Sequence, residues 1–264
     1  MSSNNHAIGV FDSGLGGLTV VKELMRQLPA EDIVYYGDTA RVPYGTKSKE
    51  SIIRFSIENA DVLLKRKVKM IVVACNSSSS FALPALVKKC SVPIIGVIEP
   101  GARESVLHTK NRRIGVVATS ATIKSGSYQK AIKRCDKKVK VYSQACPLFV
   151  PLAEEGWLNM KLTFDVAKKY LSSIKQSKAD VLILGCTHYP LLRKTIAKVV
   201  GKNVLLIDSA QVVAQKVKQV LMKMNKLKTK KTKARYTFLV SDKPQEFRKI
   251  AKNFLGKDIY IKVA

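Results

Sequence analysis

The chain has 264 residues, of which 47 are Lys or Arg and 19 are Asp or Glu, a formal excess of +28 at pH 7. With 46% hydrophobic residues and a length above the usual domain of roughly 100 to 200 residues, it can bury one large core or two ordinary ones, which excludes disorder as its main state. No apolar run approaches the roughly 20 residues that span a bilayer, since IVVAC (71–75), VPIIGVI (92–98) and VLILG (181–185) are strand-sized. The start, MSSNNHAIGVFDSG, lacks the basic and continuously apolar regions of a secretory signal, so a cytoplasmic location is expected. Five cysteines, at 75, 90, 135, 146 and 186, include no CxxC pair, which argues against a disulfide framework or a zinc ribbon.

In chain order, short β-branched runs alternate with helix-period segments. AIGVF (7–11), IVYYG (33–37), MIVVA (70–74) and PIIGV (93–97) are followed by RIGVVA (113–118), KVKVYS (138–143), VLILG (181–185) and NVLLI (203–207). This is the alternation of βαβ units and predicts an α/β fold with mostly parallel sheets covered by helices. Between strands, 48–66 carries Ile52, Ile53, Ile57, Ala60, Leu63 and Leu64 at helical spacing, and 163–175 carries Phe164, Ala167, Leu171 and Ile174. Both stripes are packing faces.

Two stretches echo each other with their cysteines 111 positions apart, MIVVACNSSSS (70–80) and DVLILGCTHYP (180–190). Each is a buried-strand pattern ending in a cysteine, then a hydrophilic turn and a helix. Ligands of open α/β sheets bind beyond the carboxyl ends of the strands, so both cysteines fall where chemistry is expected. The echo predicts two similar, facing α/β lobes with the active site in the cleft between them. Their boundary is placed at Glu99-Pro100-Gly101, where a Pro-Gly pair interrupts the pattern, and a return crossing near Asp208-Ser209. The helix from about Ala210 and a last strand–helix–strand unit (235–263) rejoin the first lobe, giving 1–98 plus 210–264 for one lobe and 99–209 for the other.

Cysteine is most often an inert buried side chain, and that reading is taken for Cys90, Cys135 and Cys146. Cys75 and Cys186 differ because Asn76-Ser77 and Thr187-His188 follow them at once. Such neighbours at a helix start are expected to lower a thiol pKa from about 8.5 toward neutrality. Two thiols on opposite walls of a cleft suit removal of a proton from one face of a carbon and its return to the other. A cysteine hydrolase needs one Cys with a His, and a redox pair needs adjacent sulfurs. Asp12-Ser13 opens the turn Gly14-Leu15-Gly16-Gly17, whose exposed N–H groups suit a carboxylate or phosphate, although the spacing matches no nucleotide loop. Asp12 reads equally well as a helix cap. GDTARVPYGTKS (37–48) is a loop after the second strand. Glu154 and Glu155 follow PLFVPLA and are either solvated charges or a carboxylate that holds protons near a thiol.

In combination, FDSGLGGLTV, YYGDTARVPYG, ACNSSSS, PLFVPLAEEG and LGCTHYPLL stand in the order and approximate spacing of the motifs of glutamate racemases, within the aspartate/glutamate racemase family, and the chain resembles that family from about residue 7 to 210. The resemblance implies two facing α/β domains, no metal or other cofactor, and a two-base mechanism. Cys75 would act on the α-hydrogen of D-glutamate and Cys186 on that of L-glutamate. Asp12 and His188 would assist Cys75 and Cys186, with Glu154 a further carboxylate near the second thiol. Asp12, Ser13, Tyr44, Gly45, Asn76, Ser77, Thr187 and His188 would contact the substrate, with Thr119 and Thr122 as further contacts. The family's usual Thr after the Asn is here Ser77, which keeps the hydroxyl, loses a methyl and predicts a looser fit.

The resulting expectation is cofactor-independent interconversion of L- and D-glutamate, supplying D-glutamate for peptidoglycan. The alternative within the fold group is a racemase or isomerase acting on aspartate, hydantoin or maleate, against which the GDT…PYG and CTHYP motifs favour glutamate. A nucleic-acid role is the third reading, because 216–235 holds nine Lys or Arg and no acid. That run lacks interleaved aromatics and reads as solvated, so only non-specific electrostatic contact is expected. The partner expected is a small-molecule substrate with no membrane, and a monomer or a homodimer fits such a fold.

Overall fold

The computed structural model describes residues 6–229, 233–256 and 258–264. Positions 230–232 of the basic run, and 257 in the last strand–helix–strand unit, lie outside the described residues. The first half of the chain runs β1 (Ile8–Asp12), α1 (Leu18–Gln27), β2 (Ile33–Gly37), a 3-10 turn (Tyr44–Thr46), α2 (Lys49–Lys65), β3 (Met70–Val73), α3 (Asn76–Phe81), α4 (Leu83–Lys89), β4 (Ile94–Gly96) and α5 (Ile98–His108). The second runs β5 (Arg113–Ala118), α6 (Ser120–Ser125), α7 (Ser127–Cys135), β6 (Lys140–Ala145), α8 (Phe149–Glu154), α9 (Lys161–Gln176), β7 (Val181–Gly185), a 3-10 turn (Tyr189–Leu192), α10 (Arg193–Val200) and β8 (Leu205–Asp208). It closes with α11 (Ser209–Lys223), β9 (Tyr236–Val240), α12 (Pro244–Leu255) and β10 (Ile261–Val263).

The strands form a six-stranded sheet, β10-β9-β2-β1-β3-β4, and a four-stranded one, β6-β5-β7-β8, with every pairing parallel. The orders β2-β1-β3-β4 and β6-β5-β7-β8 are one topology used twice, and β9 and β10 extend the first copy past β2. The echo in the sequence is this repeat, because β3 and β7 occupy equivalent places. β1, β3 and β7 are buried along their whole length, as strands covered by helices on both faces must be. Each Ile, Val or Leu so removed from water contributes roughly 1.5–3 kcal/mol. Among the helices, α2 starts where the Ser48 side chain accepts from the Ser51 N–H, and α11 starts where Asp208 Oδ1 accepts from the Ala210 N–H at 2.9 Å. The stripe Ala167, Leu171 and Ile174 of α9 is buried, with Thr163 at its head and Phe164 only partly covered.

Three expectations are corrected. Pro100-Gly101 does not interrupt the pattern but lies in the first turn of α5, where a helix has no intrahelical partner for its N–H groups and proline removes nothing. β6 begins at Lys140 rather than at 138, because Asp136 Oδ1 accepts from the Lys138 N–H at 2.8 Å and holds 137–138 in a turn. Cys135 is not a core thiol, being exposed at the end of α7, and Cys90 is half-buried.

The described part of the basic run is tied to the six-stranded sheet. Glu31 accepts from the Lys228 N–H at 2.8 Å, and Asp32 accepts from the Arg235 N–H at 2.8 Å and faces Lys228 Nζ at 3.3 Å. Lys69 Nζ, fully buried and 2.6 Å from Glu31 Oε2, donates to the Lys226 carbonyl at 2.8 Å. Ahead of β2, Asp32 thus pairs with the charges of Lys228 and Arg235, while Glu31 pairs with Lys69 and anchors the backbone of the segment.

Candidate active site

In each sheet the chain moves one way from the first strand and then returns to its other side, so a crevice opens between β1 and β3 and between β5 and β7. The segments leaving these four strands supply Asp12-Ser13, Cys75, Thr119 and Cys186, and they meet. A cavity of about 20 Å³ is lined from the six-stranded side by Ser13, Val42, Pro43, Tyr44, Gly45, Cys75, Asn76 and Ser77, and from the other by Thr119, Val150, Cys186, Thr187 and His188. That is the room of about one water molecule. Larger surface grooves, of about 440 Å³ along β9 and the segment before β10 and about 500 Å³ beside Asp180, have no thiol in their walls.

Cys75 is the residue from which α3 starts, its carbonyl accepting from the Ser79 N–H at 2.8 Å. Its Sγ lies 3.7 Å from Ser13 Oγ. Burial, and next the Asp12 carboxylate, push this thiol up to about 11, which corrects the expectation of a pKa lowered toward neutrality. Desolvation of a thiolate in a closed pocket outweighs the donors at the helix start. Asp12 is fully buried. Its Oδ2 accepts from the Gly14 N–H at 3.0 Å and its Oδ1 from Thr187 Oγ1 at 3.5 Å. Burial raises its pKa against the pull of His188 and these donors. It caps no helix, since α1 begins only at Leu18.

Across the cavity, Cys186 Sγ is 3.8 Å from His188 Nδ1, and His188 Nε2 is 2.9 Å from Glu154 Oε1. Burial draws the imidazole pKa down, but hydrogen bonds to Cys186 and Glu154 and their charges override it and push it up to about 10. The second sulfur therefore has beside it an imidazole whose protonated form is favoured by both neighbours, with Glu154 holding it from the end of α8.

Residues 8–217 match the model of the Asp/Glu/hydantoin racemases. The chain belongs to the aspartate, glutamate and hydantoin racemase family. A glutamate racemase of Geobacter metallireducens is 49% identical over 250 residues, covering 95% of this chain and 93% of that protein. Among solved structures, a glutamate racemase isoform of Bacillus anthracis superposes with a TM-score of 0.95 at 38% identity, over 99% of this chain and 98% of that one. The glutamate racemase of Francisella tularensis, solved in complex with D-glutamate, superposes with a TM-score of 0.92 at 40% identity, over 99% and 98% of the two chains.

For this racemase-family chain, most residues singled out from sequence share the one cavity. Asp12 and Glu154 do not line it and reach it through Thr187 and His188. Tyr44 lines it while its hydroxyl turns away, donating to the buried Asp38 and accepting from Asn59 Nδ2. Ser77 Oγ lies 3.1 Å from Thr119 Oγ1 and 3.3 Å from Thr122 Oγ1, so the hydroxyl it shares with the family's threonine links the two walls. Sequence reasoning missed Val42, Pro43 and Val150 as lining, and Tyr128, whose hydroxyl accepts from Asn76 Nδ2 at 2.8 Å. Val42 and Pro43 lay within a loop already marked, whereas nothing local sets Tyr128 apart.

The close approach of the walls depends on glycine. A Cβ on Gly16 would stand 2.1 Å from Thr187 Oγ1 and 2.7 Å from His188 Nδ1, and one on Gly45 would stand 2.7 Å from Thr119 Cβ.

Proposed function

We infer that the chain interconverts L-glutamate and D-glutamate without a cofactor, by proton transfer at the α-carbon between two thiols. The observation that carries this reading is the placement of Cys75 and Cys186 on opposite walls of one cavity, each with its own polar neighbours. A thiolate on one wall takes the α-proton, leaving a carbanion whose charge spreads into the α-carboxylate. The thiol on the other wall then donates its proton to the opposite face, and each turnover leaves the proton inventory of the sulfurs reversed. In our assignment Cys186 acts on L-glutamate and Cys75 on D-glutamate. His188 holds the proton beside Cys186, Glu154 orients His188, and Asp12 stands behind Cys75. Ser13, Asn76, Ser77, Thr119 and Thr187 supply oriented hydroxyl and amide groups where negative charge develops, in a largely buried site.

Glutamate is favoured over aspartate, hydantoin or maleate because relatives matching nearly the full chain are glutamate racemases. We place the D-glutamate in peptidoglycan synthesis and the protein in the cytoplasm; none of its described helices is long and apolar enough to cross a membrane. In deuterated water either enantiomer should lose optical rotation while gaining deuterium at the α-carbon. Cys75→Ser and Cys186→Ser should each slow racemisation by about 10²-fold to 10⁴-fold. Full racemisation by both variants in both directions would exclude the two-thiol mechanism, and a strong preference for aspartate would overturn the substrate.

A further inference from the structure

Tyr128, on α7, is 3% exposed, and its hydroxyl touches neither thiol. It accepts from Asn76 Nδ2 at 2.8 Å and lies 3.1 Å from Ser209 Oγ. These three residues come from separate parts of the chain. Asn76 follows Cys75 at the start of α3 and lines the cavity. Tyr128 belongs to the helical segment after β5, and Ser209 opens α11 where the chain leaves the four-stranded sheet. A carboxamide has two ends of nearly equal shape and opposite hydrogen-bonding character, so a partner on one end decides which end the cavity meets. An oxygen that accepts from Asn76 passes its own proton toward Ser209 Oγ, which gives the chain of bonds one direction. Burial holds the Tyr128 phenol above its usual range, so this proton stays in place at neutral pH.

We propose that Tyr128 is a positioning residue for the racemisation, holding Asn76 Nδ2 across the two halves of the molecule so that the carboxamide meets the α-substituents of the substrate in a single orientation. The proposal rests on the reading of Asn76 as a substrate contact. It assigns the Asn76–Tyr128–Ser209 chain a kinetic role besides joining the halves.

Tyr128→Phe keeps the ring and removes only the oxygen. It should raise KM for both enantiomers about fivefold to tenfold, the scale of one neutral hydrogen bond, with a smaller change in kcat. In an Asn76→Ala background the same substitution should add less than about twofold, because a residue acting through Asn76 has nothing left to position. An equal rise in KM in both backgrounds, or an unchanged KM in Tyr128→Phe while Asn76→Ala raises it, overturns the proposal alone. An unchanged KM in Asn76→Ala removes Asn76 from the substrate contacts and takes the proposal with it. Should Tyr128→Phe fail to fold, Ser209→Ala removes the far partner without disturbing the ring. A raised KM at an unchanged melting temperature supports the role there, and an unchanged KM overturns it.

Discussion

Cys75 and Cys186 sit at equivalent places in a repeated topology, yet their surroundings differ. Cys75 has a carboxylate behind it and a serine hydroxyl beside it, whereas Cys186 faces an imidazole tied to Glu154. Negative charge near a thiol disfavours the thiolate, and Asp12 adds to burial in pushing Cys75 up to about 11. Replacing Asp12 by Asn removes that charge and retains an acceptor for the Gly14 N–H. The pKa of Cys75 then falls, so the acid limb of kcat/KM for D-glutamate moves to lower pH, a quantity that reports groups of the free enzyme. A limb that stays in place or moves upward would show that Asp12 does not act on Cys75 electrostatically.

The loops after β1 and β7 meet through Gly16, and the 3-10 turn at Tyr44–Thr46 meets the start of α6 through Gly45 and Thr119. These contacts join elements of different sheets on either side of the cavity, where hydroxyl, imidazole and thiol must converge to within a fraction of an ångström. A methyl group on Gly16 would overlap Thr187 and His188, and the loops must separate to make room. Gly16→Ala is expected to lower kcat/KM for both enantiomers by about 10²-fold, the cost of displacing aligned groups by about 1 Å. Its melting temperature should change little, because the strands and the helices behind the loops keep their packing. Near-normal kcat/KM in this variant would mean that the close approach is dispensable.

Taken as a whole, the molecule carries an excess of +28, yet the groups gathered at the cavity are thiols, hydroxyls, amides, an imidazole and carboxylates. Part of the cationic run between α11 and β9 is engaged by Asp32, which pairs with Lys228 and Arg235, so not all of that charge is free to meet a polyanion. A net positive charge of this size is able to raise the local concentration of a small anion within a Debye length of the surface. Increasing NaCl from about 0.05 to 0.5 M should lower kcat/KM for L-glutamate by roughly threefold or more while leaving kcat nearly constant. An insensitive kcat/KM would leave the basic surface without part in substrate capture.

The strands and most helices were legible because their signals are local. Fully apolar runs such as VLILG at 181–185 form strands covered on both faces, and Ala167, Leu171 and Ile174 recur at the period that turns them to one side. Cys75 and Cys186 were legible because each ends such a strand, and the carboxyl end of a parallel strand is where a sheet leaves side chains free to act. Local patterning misjudged Pro100, since a proline in a first helical turn and one in a loop have the same neighbours in sequence. It also reversed the shift of the Cys75 thiol, because burial and the Asp12 charge depend on groups that arrive from other strands. Tyr128 carries no mark in the sequence, and Gly16 shows there only as part of a glycine-rich turn, whereas each matters through a contact with a distant segment. Residue order alone determined the alternation of strands and helices and the two thiols. Folding determined the partners, burial and charge that make those thiols chemically unequal, because electrostatics and close packing act through space.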